Sequence, residues 1–184
     1  MAKDPRNRSL TKMPPFDERG AVTVVIETPR GSRNKYDYNP DYDCLELGKV
    51  LPEGMVFPCD FGFVPSTLAD DGDPLDVLAL LDAPVAPGCV VRARPIGVIE
   101  AEQKTKGKKW IRNDRLLAVA VDARVHAAVR NPADLRPHML RELEGFFIDY
   151  NKLEDRKFRC LRIGGPKAAV QLIRGAAKRA NTRR

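Results

Sequence analysis

Four carboxylates crowd into the seven residues Asp70-Asp71-Gly72-Asp73-Pro74-Leu75-Asp76, immediately before the apolar run Val77 to Leu81. Two like charges about 4 Å apart repel by roughly 4 kcal/mol at an effective dielectric near 20, so carboxylates converge only where something positive joins them. A divalent cation supplies that charge. Side chains alternate along an extended stretch, so Asp71 and Asp73 can face the same way, with Gly72 between them allowing close backbone approach. Pro74 then turns the chain, and Asp76 can return to the same place from the start of a strand. All-oxygen ligation suits Mg²⁺ or Mn²⁺ better than zinc. A calcium-binding EF-hand loop is excluded by spacing, since it requires acidic residues at alternate positions, then Gly, then a closing Glu. On composition alone, an acidic turn capping a strand explains the segment equally well.

Other chemistry-bearing residues are sparse. The two histidines, His126 and His138, belong to no HExxH helix and stand beside no candidate nucleophile, which argues against histidine-based catalysis. Cys44, Cys59, Cys89 and Cys160 are irregularly spaced with no CxxC pair, so buried free thiols are expected rather than a zinc or redox site.

The formal net charge of +7 is uneven. Ten of the 32 Lys/Arg lie in residues 156–184, which hold no acidic residue; the rest of the chain carries 22 basic against 25 acidic side chains, a balance of −3. The basic character therefore belongs to the C-terminal segment, where a solvated helix face and tail explain it, and no nucleic-acid partner is expected. No run of about 20 apolar residues exists to span a membrane, and residues 1–15 lack the apolar stretch of a secretory signal. The expected address is cytoplasmic.

The elements that must position the acidic cluster follow from periodicity. The 184 residues, 43% of them hydrophobic, suit one domain with one core. Strands are predicted at 21–27, 77–81, 89–99 and 116–121, with shorter extended pieces near 35–38, 44–47, 55–57 and 158–163. From Asp134, a reasonable N-cap, Leu135, Met139, Leu143, Phe146, Phe147 and Tyr150 recur at helical steps on one face. A second helix is predicted after Gly165, with Pro166 in its first turn and Val170, Ile173 and Ala177 on its buried side. Strands followed by helices indicate an α+β fold, an antiparallel sheet or small barrel flanked by two C-terminal helices. Residues 1–15 are expected to form a flexible arm and residues 166–184 a basic helix and tail.

The order D-G-D-P-L-D-V resembles the D-x-D-[PE]-apolar-D-apolar signature of the family I soluble inorganic pyrophosphatases. The segments Val24-Val25-Ile26-Glu27-Thr28-Pro29, Asn34-Lys35-Tyr36, Phe57-Pro58-Cys59-Asp60-Phe61-Gly62-Phe63 and Arg94-Pro95-Ile96-Gly97-Val98 match that family in the same order. Asp114, Phe146-Phe147 and Tyr150 continue the match, so the resemblance runs from about residue 20 to about residue 165. It implies a five-stranded barrel of the OB type, a homo-oligomer, a divalent cofactor (Mg²⁺, with Mn²⁺ an alternative) and hydrolysis of pyrophosphate by metal-activated water. By resemblance, Asp71, Asp76 and Asp114 bind the first metal, and Asp73, also counted among the metal-site residues, is the general base toward a water held between two metals. Lys35, Lys49 and the Tyr150 hydroxyl hold phosphate, with Glu27 and Asp37 as outer-shell acids.

Several positions depart from the family pattern. Lys49 stands where Arg is usual, replacing a planar two-pronged contact by a point charge. Asp37 replaces Glu, and Phe57 and Phe61 replace tyrosines. Asn151 replaces a phosphate-binding Lys, for which Lys152 is the candidate substitute. A basic loop over 102–113 removes the family's remaining metal-binding Asp, leaving Glu102 as the substitute, and Arg115 stands in for a phosphate-binding Lys at Leu116. Two other functions remain open: action on a different phosphoanhydride, and a nucleic-acid-binding barrel with a vestigial site. Phe57, Phe61 and Phe63 lie beside acidic residues rather than interleaved with Lys/Arg, which opposes the latter.

Overall fold

The computed structural model describes residues 9–183. Its strands are β1 (Val22–Thr28), β2 (Asn34–Asn39), β3 (Cys44–Val50), β4 (Asp60–Val64), β5 (Leu75–Leu80), β6 (Val90–Thr105), β7 (Ile111–Arg112), β8 (Arg115–Ala120) and β9 (Arg156–Gly164). Two helices follow late in the chain, α1 (Met139–Lys152) and α2 (Pro166–Thr182). This is the expected α+β arrangement.

Five strands close a ring in the order β1, β4, β5, β8, β6 and back to β1. Four of those pairings are antiparallel, but β5 and β8 run parallel, so the barrel is not wholly antiparallel. The long strand β6 serves two structures: its first half closes the barrel, and its second half carries β7 and β9. The hairpin β2–β3 forms a separate two-stranded sheet.

Burial follows the ring. Every residue of β1, β4 and β8 is buried. β4 was not foreseen: Gly62 interrupts the pattern and prolines flank it, although this glycine is what lets the strand fit. A Cβ at Gly62 would collide with the Val25 carbonyl of β1. Residues 55–57, expected to be extended, form no strand, and Phe57 is buried from a loop instead.

α1 packs on β9 with Met139, Leu143 and Phe147 buried, and α2 crosses β6. α1 begins later than expected. Asp134 caps a short 3-10 turn, Pro132–Asp134, in a reciprocal box with Asn131, and α1 starts only after His138, whose φ is 70°. Pro137 explains the break, because the residue before a proline is pushed out of helical geometry. In α2 the buried stripe is Ala169, Ile173 and Ala176, so Val170 and Ala177 sit beside it rather than in it.

All four cysteines are free, but only Cys59 is buried; Cys44 and Cys89 are exposed. Most of the expected N-terminal arm, residues 1–8, lies outside the described residues. Of the remainder, the Thr11 carbonyl accepts from Ser66 N at 2.9 Å and the Pro15 carbonyl from Thr23 N at 2.9 Å, which ties this stretch to the barrel. No helix among the described residues is long and apolar enough to cross a membrane.

Candidate active site

The acidic segment folds as a tight turn delivering three of its four carboxylates to one cavity, while Asp70 pairs with Arg179 at 3.5 Å instead. Gly72 takes a φ of 101°, Ala69 N donates to the Asp73 carbonyl at 2.7 Å, and Asp73 N donates to Asp71 Oδ1 at 3.3 Å. Beyond Pro74 the chain enters β5, anchored where Leu75 N donates to the buried Thr67 hydroxyl at 2.9 Å. Asp71, Asp73 and Asp76 then line a cavity of about 590 Å³.

The hairpin β2–β3 covers the facing side. It is held to the barrel where Tyr36 N donates to the Thr28 hydroxyl at 3.0 Å and Tyr38 N donates to Glu27 Oε1 at 2.8 Å. Glu27 is buried at the end of β1, and that burial pushes its carboxyl up to about 7, against the Tyr38 hydrogen bond and the Lys35 charge. Lys35 and Lys49 are cross-strand partners on the hairpin, and both line the cavity. Lys35 pairs with Asp37, and Lys49 with Glu154, which also takes Arg156. Burial lowers the Lys35 ammonium below its ordinary value, while the Lys49 hydrogen bond holds the Glu154 carboxyl below its own.

The wall opposite the hairpin is built by β8 and α1. Arg115 Nη1 lies 2.7 Å from Asp76 Oδ2, and its guanidinium carbon stands 5.0 Å from the Phe147 ring centroid. Burial raises Asp76 to about 6, with Arg115 pulling it back. Tyr150 sits beneath Lys49, whose ammonium is 4.8 Å from the ring centroid, and burial raises the Tyr150 hydroxyl above its ordinary value. Phe57 packs on Tyr150 and Phe146, and Phe61 on Phe147, so the missing tyrosine hydroxyls leave an apolar floor.

Nine of the sequence-assigned residues therefore share the cavity: Glu27, Lys35, Asp37, Lys49, Asp71, Asp73, Asp76, Arg115 and Tyr150. Three do not. Asp114 accepts from Ala101 N at 2.9 Å and pairs with Arg112 at 2.9 Å, so its carboxylate is spent inside the sheet. Glu102 pairs with Arg159 at 2.7 Å, and Lys152 pairs with Asp149 at 2.8 Å on an exposed face of α1. The cause in each case is local periodicity. Along extended backbone Asn113 and Arg115 face the cavity and Asp114 the other way, just as Gln103 faces it and Glu102 does not. Lys152, two residues past Tyr150, lies far round the helix from it.

Asn113, Gln103, Glu154 and Arg156 line the cavity and were not foreseen. Alternation from Arg115 was a sufficient signal for Asn113. Glu154 and Arg156 arrive by the turn from α1 into β9, for which the sequence offers no signal.

A family model described as inorganic pyrophosphatase matches residues 24–181. The Synechocystis inorganic pyrophosphatase is 37% identical over 169 residues, covering 92% of this chain and 97% of the relative. The crystal structure of the Thermus thermophilus inorganic pyrophosphatase superposes with a TM-score of 0.85 at 34% identity, covering 94% of this chain and 99% of that one. The Helicobacter pylori inorganic pyrophosphatase gives a TM-score of 0.82 at 29% identity, over 92% and 99%. This chain belongs to the inorganic pyrophosphatase family.

For a member of that family, the fit of a divalent cation is decided by the donor set. No three His, Cys, Asp or Glu side chains among the described residues converge as a closed cage around one ion. Asp71 and Asp73 nevertheless offer hard oxygen donors at an open cavity, the setting in which Mg²⁺ binds through one or two carboxylates and completes its shell with water and substrate phosphate. The residues fit a cation of that kind.

Proposed function

We propose that this inorganic pyrophosphatase family member hydrolyses pyrophosphate to two phosphates, with Mg²⁺ or Mn²⁺ as cofactor. The observation that carries the reading is the meeting of two opposed sets in one cavity: Asp71, Asp73 and Asp76 from the turn before β5, and Lys35, Lys49 and Arg115 from three other strands. Six carboxylates outnumber four cations in the lining, so a polyanionic substrate needs additional positive charge to enter. Asp71 and Asp73 would hold the divalent cation, which when bound lowers the pKa of the attacking water and neutralises charge on the leaving phosphate.

The chain's own residues supply the rest. Asp73, exposed at the mouth of the cavity, accepts the proton of the attacking water. Lys35, Lys49 and Arg115 take the outer phosphate oxygens, and the Tyr150 hydroxyl, kept protonated by its burial, donates a further hydrogen bond. Glu27 fixes the hairpin that carries both lysines, and Asp37 orients Lys35. Asp114, Glu102 and Lys152 have no part in this proposal.

The test is phosphate release by purified protein at millimolar Mg²⁺, with pyrophosphate, ATP and tripolyphosphate compared. Rapid release from pyrophosphate and little from the others is expected. No release from pyrophosphate overturns the reading, and preference for a longer substrate redirects it to another phosphoanhydride. Homo-oligomerisation and a cytoplasmic address belong to the same proposal; Leu161 and Ile163, 44% and 39% exposed on β9, offer an apolar contact. A monomer in sedimentation would remove the oligomer.

A further inference from the structure

Asp76 and Arg115 are direct neighbours because β5 and β8 run parallel with these two residues in register. The contact is fixed on several sides. Arg115 Nη1 lies 2.7 Å from Asp76 Oδ2 and donates to the Asn113 carbonyl at 3.0 Å and to the Asn113 side-chain oxygen. The guanidinium rests on the Phe147 ring, and only 5% of the side chain is exposed. Arginine is not deprotonated in proteins, so this is a permanent charge built into the cavity wall.

Two further observations bear on its role. Nε of Arg115 is the buried side-chain polar atom left without a hydrogen-bond partner among the described residues, a cost that packing alone does not explain. The neighbouring carboxylates that could join Asp76 around an ion are turned away, since Asp114 and Glu102 are held by Arg112 and Arg159. Neutral Asn113 faces the cavity in their stead.

We infer that the Arg115 guanidinium is a resident counter-cation for Asp76, standing where a divalent ion would otherwise neutralise that carboxylate. In the absence of substrate, divalent metal would be held through Asp71 and Asp73 without Asp76, with water filling the rest of its shell until phosphate oxygens replace it. The inference rests on the pyrophosphatase reading and refines it: charge supplied by metal alone is here divided between metal and a fixed arginine.

Binding of Mn²⁺ to the full chain without substrate, followed by the loss of the free-ion paramagnetic resonance signal, tests this apart from turnover. Asp76→Asn should weaken Mn²⁺ binding by no more than a few fold, through the uncompensated charge it leaves on Arg115 and not through the loss of a ligand, because Asp76 is already occupied. Arg115→Met should tighten it by about tenfold or more, the scale on which residues around a metal tune affinity, and the double variant should lose that gain. Thermal unfolding checks that each variant is folded. Should Arg115→Met not fold, Asp76→Asn decides alone: weakening of Mn²⁺ binding by about tenfold makes Asp76 a metal ligand and overturns the inference. A folded Arg115→Met that binds no more tightly than the unaltered protein overturns it as well. Phosphate release plays no part in either readout, so failure here leaves the proposed reaction untouched, and failure of that reaction leaves this pattern measurable.

Discussion

Lys35 and Lys49 stand directly opposite one another on the β2–β3 hairpin, and each is engaged by its own carboxylate, Asp37 and Glu154. The two charges that would hold phosphate are thus neutralised before substrate arrives. For Lys49 the partner comes from 105 residues away and is shared with Arg156, so substrate must compete with Glu154 for the lysine. Removing the competitor while keeping its shape should favour substrate. Glu154→Gln is expected to lower KM for pyrophosphate severalfold, whereas Lys49→Ala should raise it. A hydrogen bond to a charged group is worth about 1.5–3 kcal/mol, which sets the Lys49→Ala effect at roughly ten- to a hundredfold. Steady-state kinetics on the two variants measures both, and an unchanged KM in each would detach Lys49 from the substrate.

Asp73 lines the cavity and Asp114 does not, and the proposed reaction gives the two carboxylates opposite expected phenotypes. Asp73 is exposed at the cavity, and Asp73→Asn should cut turnover by a factor of about 10² or more with the thermal midpoint preserved, as expected for a general base. Asp114 satisfies Ala101 N and Arg112 inside the sheet, so Asp114→Asn should cost about 1–3 kcal/mol of stability and leave kcat within a few fold. Denaturant unfolding and kinetics on both variants give the crossed pattern. A large loss of kcat in Asp114→Asn would restore that residue to the site.

These two aspartates also show which placements were legible in the sequence and which were not. Asp71, Asp73 and Asp76 were legible because a local turn decides their direction, and local chemistry is written in consecutive residues. The strands with strong β-branched runs were legible for the same reason. Asp114 lies outside the cavity by a one-residue shift: in extended backbone that step reverses the face, and Asn113 and Arg115 take the cavity side. Glu154 was out of reach because its position depends on the path from α1 into β9, a tertiary matter. β4 was hidden because a strand enclosed on both sides needs no alternation, and its glycine reads as a break.

That glycine supplies a direct test of the barrel seam. Gly62 pairs with Ile26 across β1 and β4, where an added Cβ would meet the Val25 carbonyl. Backbone cannot yield as a flexible side chain does. Gly62→Ala is expected to destabilise the fold by about 1–3 kcal/mol, the usual cost of overpacking, and to lower the urea midpoint without changing the slope. An unaltered midpoint would mean that the seam is looser than the geometry indicates.

The pH dependence of metal-free protein follows from Glu27 and Asp76. Burial raises Glu27 from 4.5 to about 7 and Asp76 from 3.8 to about 6. Below the unfolded values both carboxyls are protonated in both states and contribute no difference. As pH rises, the unfolded chain ionises first while the fold still holds its protons, so stability falls until the folded values are passed and then levels off. The opposite slope from Glu100 and Glu154, whose carboxyls are held low by their arginine and lysine partners, is confined to lower pH. In a chelator the thermal midpoint should therefore decline between about pH 5 and 7, with Glu27 contributing about 3 kcal/mol at most. Glu27→Gln keeps an acceptor for Tyr38 N but cannot ionise, so its profile should be flatter. Added Mg²⁺ favours the ionised carboxylates and should stabilise the protein more at pH 8 than at pH 5. Thermal melts across that range, with and without Mg²⁺, check all three expectations, and a midpoint that rises from pH 5 to 7 in chelator contradicts the assignment of a buried, proton-holding Glu27.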